Sequence, residues 1–185
     1  MLHLVTPLYR FHNVEQIYNS IINYEDVIWH VGKSEDKEYE FPHRDDRVKI
    51  YNVPCRDIDA VAKRNFALAN VTEGYFHLLD DDTTLHPNMY KLYKEMNELN
   101  YKGMVIGKQI LKSGVLRLRE VQRPIYCQID AGNVLCHHSA INHILNAPDK
   151  SMHLAPDYNL WEKAYNFFKE CKMTPDVISV YNLLR

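Results

Sequence analysis

The sequence predicts an α/β fold, a mixed and mainly parallel central sheet flanked by helices. Three observations carry this. Short apolar runs alternate with segments of helical periodicity through residue 100, as strands and covering helices do. Three aspartates directly follow one apolar run. From Gly103 onward the helices give way to closely spaced alternating segments separated by Ser-Gly and Arg-Pro turns, the mark of an antiparallel extension.

Residues 2–5 form the first apolar run, stopped by Thr6-Pro7, and Val14, Ile17, Tyr18, Ile21 and Ile22 follow at helical spacing. Residues 26–31 read as a buried strand ended by Gly32, residues 33–46 as loop, and residues 48–53 as a strand closed by Pro54. Ile58, Val61, Ala62, Phe66 and Ala69 make one helical stripe, with Asp59, Lys63 and Arg64 off it. Gly74 ends that helix and residues 75–79 form the next strand. Pro87 stands at a first helical position, ahead of Met89, Leu92, Tyr93, Met96 and Leu99. Residues 104–111, 115–121 and 126–129 read as strands. A last helix uses Leu160, Trp161, Ala164, Tyr165, Phe168 and Cys171, before a closing strand over 177–181.

Composition limits the function. The chain has 185 residues, 46% of them hydrophobic, and 22 basic against 24 acidic residues leave a formal net charge of -2. That length fits one domain, with residues 1–100 reading as a nucleotide-binding half and residues 101–185 as a mixed, partly antiparallel extension. Balanced charge gives no whole-molecule attraction for nucleic acid or anionic lipid, so no nucleic-acid partner is expected. Cys55, Cys127, Cys136 and Cys171 are widely spaced, and neither a leader peptide nor a long apolar span is apparent. A cytoplasmic protein without a transmembrane segment is the expectation.

The sharpest chemical feature is His77-Leu-Leu-Asp-Asp-Asp-Thr83. Carboxylates at the end of a buried strand stand where α/β sheets bind ligands. Asp-x-Asp suits Mg²⁺ or Mn²⁺, which take carboxylate oxygens and complete their shell with water and phosphate. A plainer reading is that the acidic run solvates a loop and favours the following helix N-terminus.

Several spaced segments together resemble the GT-A glycosyltransferases, most closely the small family 2 type. His77-Leu-Leu-Asp-Asp-Asp resembles the family's metal-binding Asp-x-Asp, with Asp80 and Asp82 as the pair, Asp82 the more direct ligand, and Asp81 beside the donor. Asp59-Ala-Val-Ala-Lys-Arg-Asn65 resembles its Ala-Arg-Asn helix, placing Arg64 and Asn65 near the nucleotide. Ala155-Pro-Asp-Tyr-Asn-Leu-Trp161 resembles its Glu-Asp-x-x-Leu-Trp segment, placing Asp157 at the acceptor-activating carboxylate. Leu4-Val-Thr-Pro-Leu-Tyr9 resembles the opening strand leading to the base pocket, with Thr6, Pro7 and Tyr9 as donor contacts.

The resemblance implies a GT-A, Rossmann-like fold and metal-dependent transfer from a nucleotide-diphosphosugar, a UDP-sugar favoured, to a saccharide or glycan hydroxyl. It also implies inversion if Asp157 is the base. Two departures stand out. His30-Val-Gly-Lys-Ser-Glu-Asp36 replaces the usual Asp- and Ser-rich strand end, and Pro156 replaces the Glu of the Glu-Asp pair. A metal-binding histidine near the C-terminus would be His153, with His137 and His138 as alternatives.

Other readings stay open. Asp157 also suits an N-cap. Gly132 and Asn133 fit either a donor-sugar contact or a turn. Arg117 and Arg119 fit phosphate or a solvated strand edge. Asp80-Asp-Asp-Thr-Thr-Leu85 also satisfies the D-x-D-x-T pattern of haloacid-dehalogenase phosphohydrolases, with Asp80 as nucleophile, but about eighty residues precede it. A sugar nucleotidyltransferase would need a glycine-rich loop that residues 2–10 lack. A non-catalytic nucleotide-sugar-binding domain is the third alternative.

Overall fold

The computed structural model describes residues 1–146 and 156–182. Its N-terminal part comprises β1 (Leu2–Leu8), α1 (Val14–Ile21), β2 (Val27–Ser34), β3 (Val48–Val53), α2 (Ala60–Leu68) and β4 (Tyr75–Leu78). β1 lies between β2 and β4, parallel to both, and β2 pairs parallel with β3. β5 (Thr83–Leu85), α3 (Pro87–Glu98), β6 (Met104–Leu111), β7 (Leu116–Leu118), β8 (Val134–His137), α4 (Ile141–Asn146), α5 (Pro156–Phe168) and β9 (Lys172–Tyr181) follow. The sheet order is β3-β2-β1-β4-β8-β6-β9-β5, with β7 on β6.

The sheet is mixed α/β as expected, yet mainly parallel only in its first half. β4/β8, β6/β8, β6/β7 and β5/β9 are antiparallel, and among the described residues β6/β9 is the one parallel pair of the second half. α1 and α3 bury Ile17, Met89 and Tyr93 against Leu4 and Trp29 on one face. α2, α4 and α5 bury Leu68, Ile141 and Trp161 against Phe76 on the other.

Six sequence expectations need correction. β1 runs through Thr6-Pro7, because β4 stops pairing at Val5 and leaves β1 bounded on one side there, where a residue without N–H is tolerated. β2 continues through Gly32 for a different reason. A Cβ at Gly32 would lie 2.4 Å from the Lys63 carbonyl oxygen, so this glycine lets α2 approach the sheet.

α2 itself is turned relative to its apolar stripe. Lys63, Arg64, Ala67 and Leu68 are the buried residues, while Ile58 is 85% exposed and Phe66 44%. The basic heads are carried inward by polar partners: Lys63 Nζ donates to the Leu8 carbonyl at 3.0 Å and to the Asp57 carbonyl. The helix ends at Leu68, ahead of Gly74, which lies in the turn into β4.

In the second half, residues 126–129 form turns, with Cys127 at a φ of 61° that breaks any strand, and the 115–121 strand shortens to β7. β8, which pairs with both β4 and β6, supplies the inner strand instead.

Candidate active site

The three successive aspartates after β4 divide between two sets of partners. Asp81, 1% exposed, accepts from the backbone N–H of Tyr9 at 2.9 Å and of Arg10 at 2.7 Å, and from Arg10 Nη1 at 2.7 Å. Asp82 accepts from the same Arg10 Nη1 at 2.8 Å and from Thr83 Oγ1 at 3.3 Å. Asp80 turns away from both and meets Asp130 and Asp157, so that one ligand oxygen from each lies within 4.8 Å of the others.

Asp130 precedes β8 and is held by a reciprocal cap. It accepts from Gly132 N at 3.1 Å, and its own N–H donates to Asn133 Oδ1 at 3.0 Å. Arg117 Nη1 donates to Asp130 Oδ2 at 2.7 Å and to Gln109 Oε1, with its guanidinium 4.0 Å over the Tyr181 ring. Trp161 Nε1 donates to the Asp130 carbonyl at 3.0 Å, which ties α5 to this loop and fixes Asp157 in the helix's first turn. Arg64 reaches across from α2, Nη1 donating to Asp157 Oδ1 at 2.9 Å.

Burial, then the charges of Asp157, Asp130 and Asp82, push the Asp80 carboxyl well above the usual carboxylate range, against Arg64. Asp157 is raised as well, by burial first, with Arg64 opposing and Asp130 adding. Such a cluster holds protons or takes a cation. Its all-oxygen donor set and uncompensated charge fit a hard divalent ion, which Asp80 and Asp130 would hold with Asp82 at the rim of the same pocket, leaving Asp157, paired with Arg64, beside it.

A pocket of about 170 Å³ joins Pro7, Tyr9, Arg64, Asp80, Asp81, Asp82 and Asp157 with Ala60, Val61 and Pro156. Seven predicted residues therefore share one cavity. Others lie elsewhere. Thr6 is fully buried and accepts from Trp29 Nε1 at 2.8 Å, facing the core. Asn65 lines a neighbouring pocket with Asn159 and Lys163. Asn133 is fully buried, its amide spent on Asp130 and on the Gly107 carbonyl at 3.3 Å. Gly132 packs beneath it, where a Cβ would lie 2.6 Å from Gln109 Nε2. His153 lies outside the described residues.

His137 pairs opposite Tyr75 at the far end of β4 from Asp80, and Nδ1 of His137 lies 2.9 Å from Ser139 Oγ. That removes His137 and His138 from the metal alternatives. Two contributors were not picked out from sequence, Asp130 and Arg10, while Arg117, read there as a phosphate contact or a solvated edge, pairs with Asp130 instead. The Asp130-x-x-Asn133 spacing is a capping-box signal that could have singled out Asp130. Arg10 meets Asp81 across 71 positions, a pairing with no local signature.

The class defined by this fold and site is a mixed α/β protein with an acidic pocket at the carboxyl ends of β1 and β4. The sequence matches no family model and no curated protein. The fold is that of S. aureus TarS, with a TM-score of 0.70 and 12% identity over 98% of this chain and 36% of that one. TarS 1-349 in complex with UDP-GlcNAc aligns with a TM-score of 0.67 and 11% identity over 100% of this chain and 59% of that chain. The complex with UDP gives 0.68 and 10% identity over 98% and 60%. The chain thus spans between about a third and three fifths of the TarS chains it resembles.

Proposed function

We propose that this chain is a GT-A glycosyltransferase that moves a sugar from a nucleotide-diphosphosugar, a UDP-sugar favoured, to a saccharide hydroxyl, using Mn²⁺ or Mg²⁺. The observation that carries the reading is the convergence of Asp80, Asp130 and Asp157, two of which, Asp80 and Asp157, line a pocket shared with Tyr9 and Arg64. The shared fold adds support, since TarS is solved with UDP-GlcNAc and with UDP.

A divalent ion held there would neutralise charge on the departing diphosphate. The chain's own residues do the rest. Tyr9 and Pro7, at the end of β1, wall the side where a nucleotide enters. Asp157 takes the proton of the acceptor hydroxyl as it attacks, and its raised pKa suits that role because a carboxylate closer to neutrality is the stronger base. Arg64 orients Asp157 through the Nη1 bond. One carboxylate base and no protein nucleophile give a single displacement with inversion.

The test is thermal stabilisation by UDP with Mn²⁺. A rise in Tm that needs both, and that disappears in Asp80→Asn, is expected. No rise with UDP, GDP or deoxythymidine-diphosphate in the presence of Mn²⁺ would overturn the reading.

A further inference from the structure

The pocket's charge balance assigns Arg10 a role of its own. Asp80, Asp81, Asp82, Asp130 and Asp157 stand against Arg10, Arg64 and Arg117. If all are ionised, two negative charges are left uncompensated, the charge of one divalent ion. The deficit is unevenly placed. Arg64 serves Asp157, Arg117 serves Asp130, and Arg10 alone serves both Asp81 and Asp82 among the described residues. Asp80 has no ion pair among the described residues.

Asp81 does not depend on the guanidinium. Two backbone N–H groups bind its Oδ2, and Asn13 Nδ2 donates to its carbonyl at 2.7 Å, so the Tyr9–Arg10 turn stays fastened if the Arg10 side chain leaves. Asp82 does depend on it. Among the described residues Arg10 Nη1 is its one charged partner, and the other donor is the Thr83 hydroxyl at 3.3 Å. The Arg10 side chain is 23% exposed, against 1% for that of Asp81. It is thus the most exposed member of the trio.

Resting on the metal-dependent reading above, we propose that Arg10 is the resident counter-cation of Asp82, exchanged for the divalent ion when the nucleotide arrives. With Arg10 in place, Asp82 is closed to a metal alone. The diphosphate draws the guanidinium off by offering it a bidentate anionic partner, and Asp82 then turns to the ion. Arg10 is a positioning residue that makes metal uptake wait for the donor.

Binding of Mn²⁺ to the full chain, followed by the electron paramagnetic resonance of free Mn²⁺ without nucleotide, tests this. Wild type should bind weakly, and Arg10→Ala about tenfold more tightly, because a cation in contact with the ligand carboxylate is gone. The gain should vanish in Arg10→Ala/Asp82→Asn, and Arg10→Lys, which keeps the charge, should stay near wild type. Arg10→Gln keeps an N–H for Asp81 while removing the charge and gives the same reading should the alanine variant not fold. Equal Mn²⁺ affinity in wild type and the neutral variants, or a gain that survives Asp82→Asn, would overturn the proposal. If wild type fails to bind Mn²⁺ even with UDP, the glycosyltransferase reading fails instead.

Discussion

Arg64 Nη1 donates to Asp157 Oδ1 at 2.9 Å, joining α2 to α5 across 93 positions of sequence. The same guanidinium keeps its Nε buried with no hydrogen-bond partner among the described residues. A buried, unsatisfied charged donor is costly unless something completes it, and it stands in the wall of the acidic pocket. Arg64 therefore serves two masters in the proposed reaction, the base through Nη1 and an incoming anionic group through Nε.

Asp157→Asn should separate these roles. The amide keeps the shape of the carboxylate and an oxygen for Arg64 but cannot accept the acceptor's proton. Transfer should fall by about 100-fold or more, while the Mn²⁺-dependent stabilisation by UDP stays within a degree or two. Transfer at the wild-type rate would reduce Asp157 to a helix-capping residue, and turnover absent from wild type would favour a binding domain.

How much of this was legible in sequence depends on the range of the signal. The strand-borne Asp80-Asp-Asp, the Pro87 helix start and the buried face of α3 were readable because each is written within one element. The face of α2 was not. Its stripe of Ile58, Val61 and Phe66 obeys helical periodicity, but Lys63 and Arg64 are drawn inward by Leu8, Asp57 and Asp157, none of which lies on that helix. The division of labour among the three aspartates was equally hidden, since adjacent residues differ only in what lies opposite them. Asp130 shows the intermediate case, with a local capping signal whose purpose appears only when Arg117 and Trp161 arrive from other elements.

The acidic cluster should leave its mark on stability. A carboxyl whose pKa rises on folding binds its proton more tightly in the folded state, so its contribution is complete below the unfolded pKa and is lost as pH rises through the folded one. Asp80 and Asp157 both have this sign. Asp80→Asn, fixed in the neutral form, should gain stability relative to wild type as pH rises from 4.5 to 7.5. Mn²⁺ together with UDP should narrow the gap by stabilising wild type and not the variant. Urea unfolding curves that stay parallel across this range would contradict the assignment.

Buried histidines act with the opposite sign. Burial pushes His3, His30 and His77 down to about 4, and His3 Nδ1 lies 2.9 Å from His30 Nε2, so protonating both would set two charges against each other. A lowered folded pKa gives stability that is present above the unfolded value of 6.5 and is lost as pH falls through about 4. Taken as the stability difference between His77→Gln and its parent on the Asp80→Asn background, where the carboxylate contributions common to both cancel, the part due to His77 should therefore climb between pH 4 and pH 6.5. A flat difference would place the His77 ring in solvent-like surroundings.

Gly32 links the fold to the site most directly. A Cβ there would sit 2.4 Å from the Lys63 carbonyl oxygen and 2.9 Å from its carbon, both backbone atoms that cannot rotate away. Gly32→Ala must push α2 off β2, and α2 carries Lys63, which fastens the Leu8 carbonyl, and Arg64, which reaches Asp157. The expected loss is roughly 2–4 kcal/mol in urea unfolding, together with weaker UDP binding at a temperature where the variant remains folded. Gly114→Ala is the control. It forces a side chain into a φ of +84° with nothing within 4 Å, so it should cost about 1–2 kcal/mol through backbone strain alone and leave UDP binding unchanged. If both variants bind UDP equally well, the close seating of α2 serves packing only, and Arg64 does not depend on it.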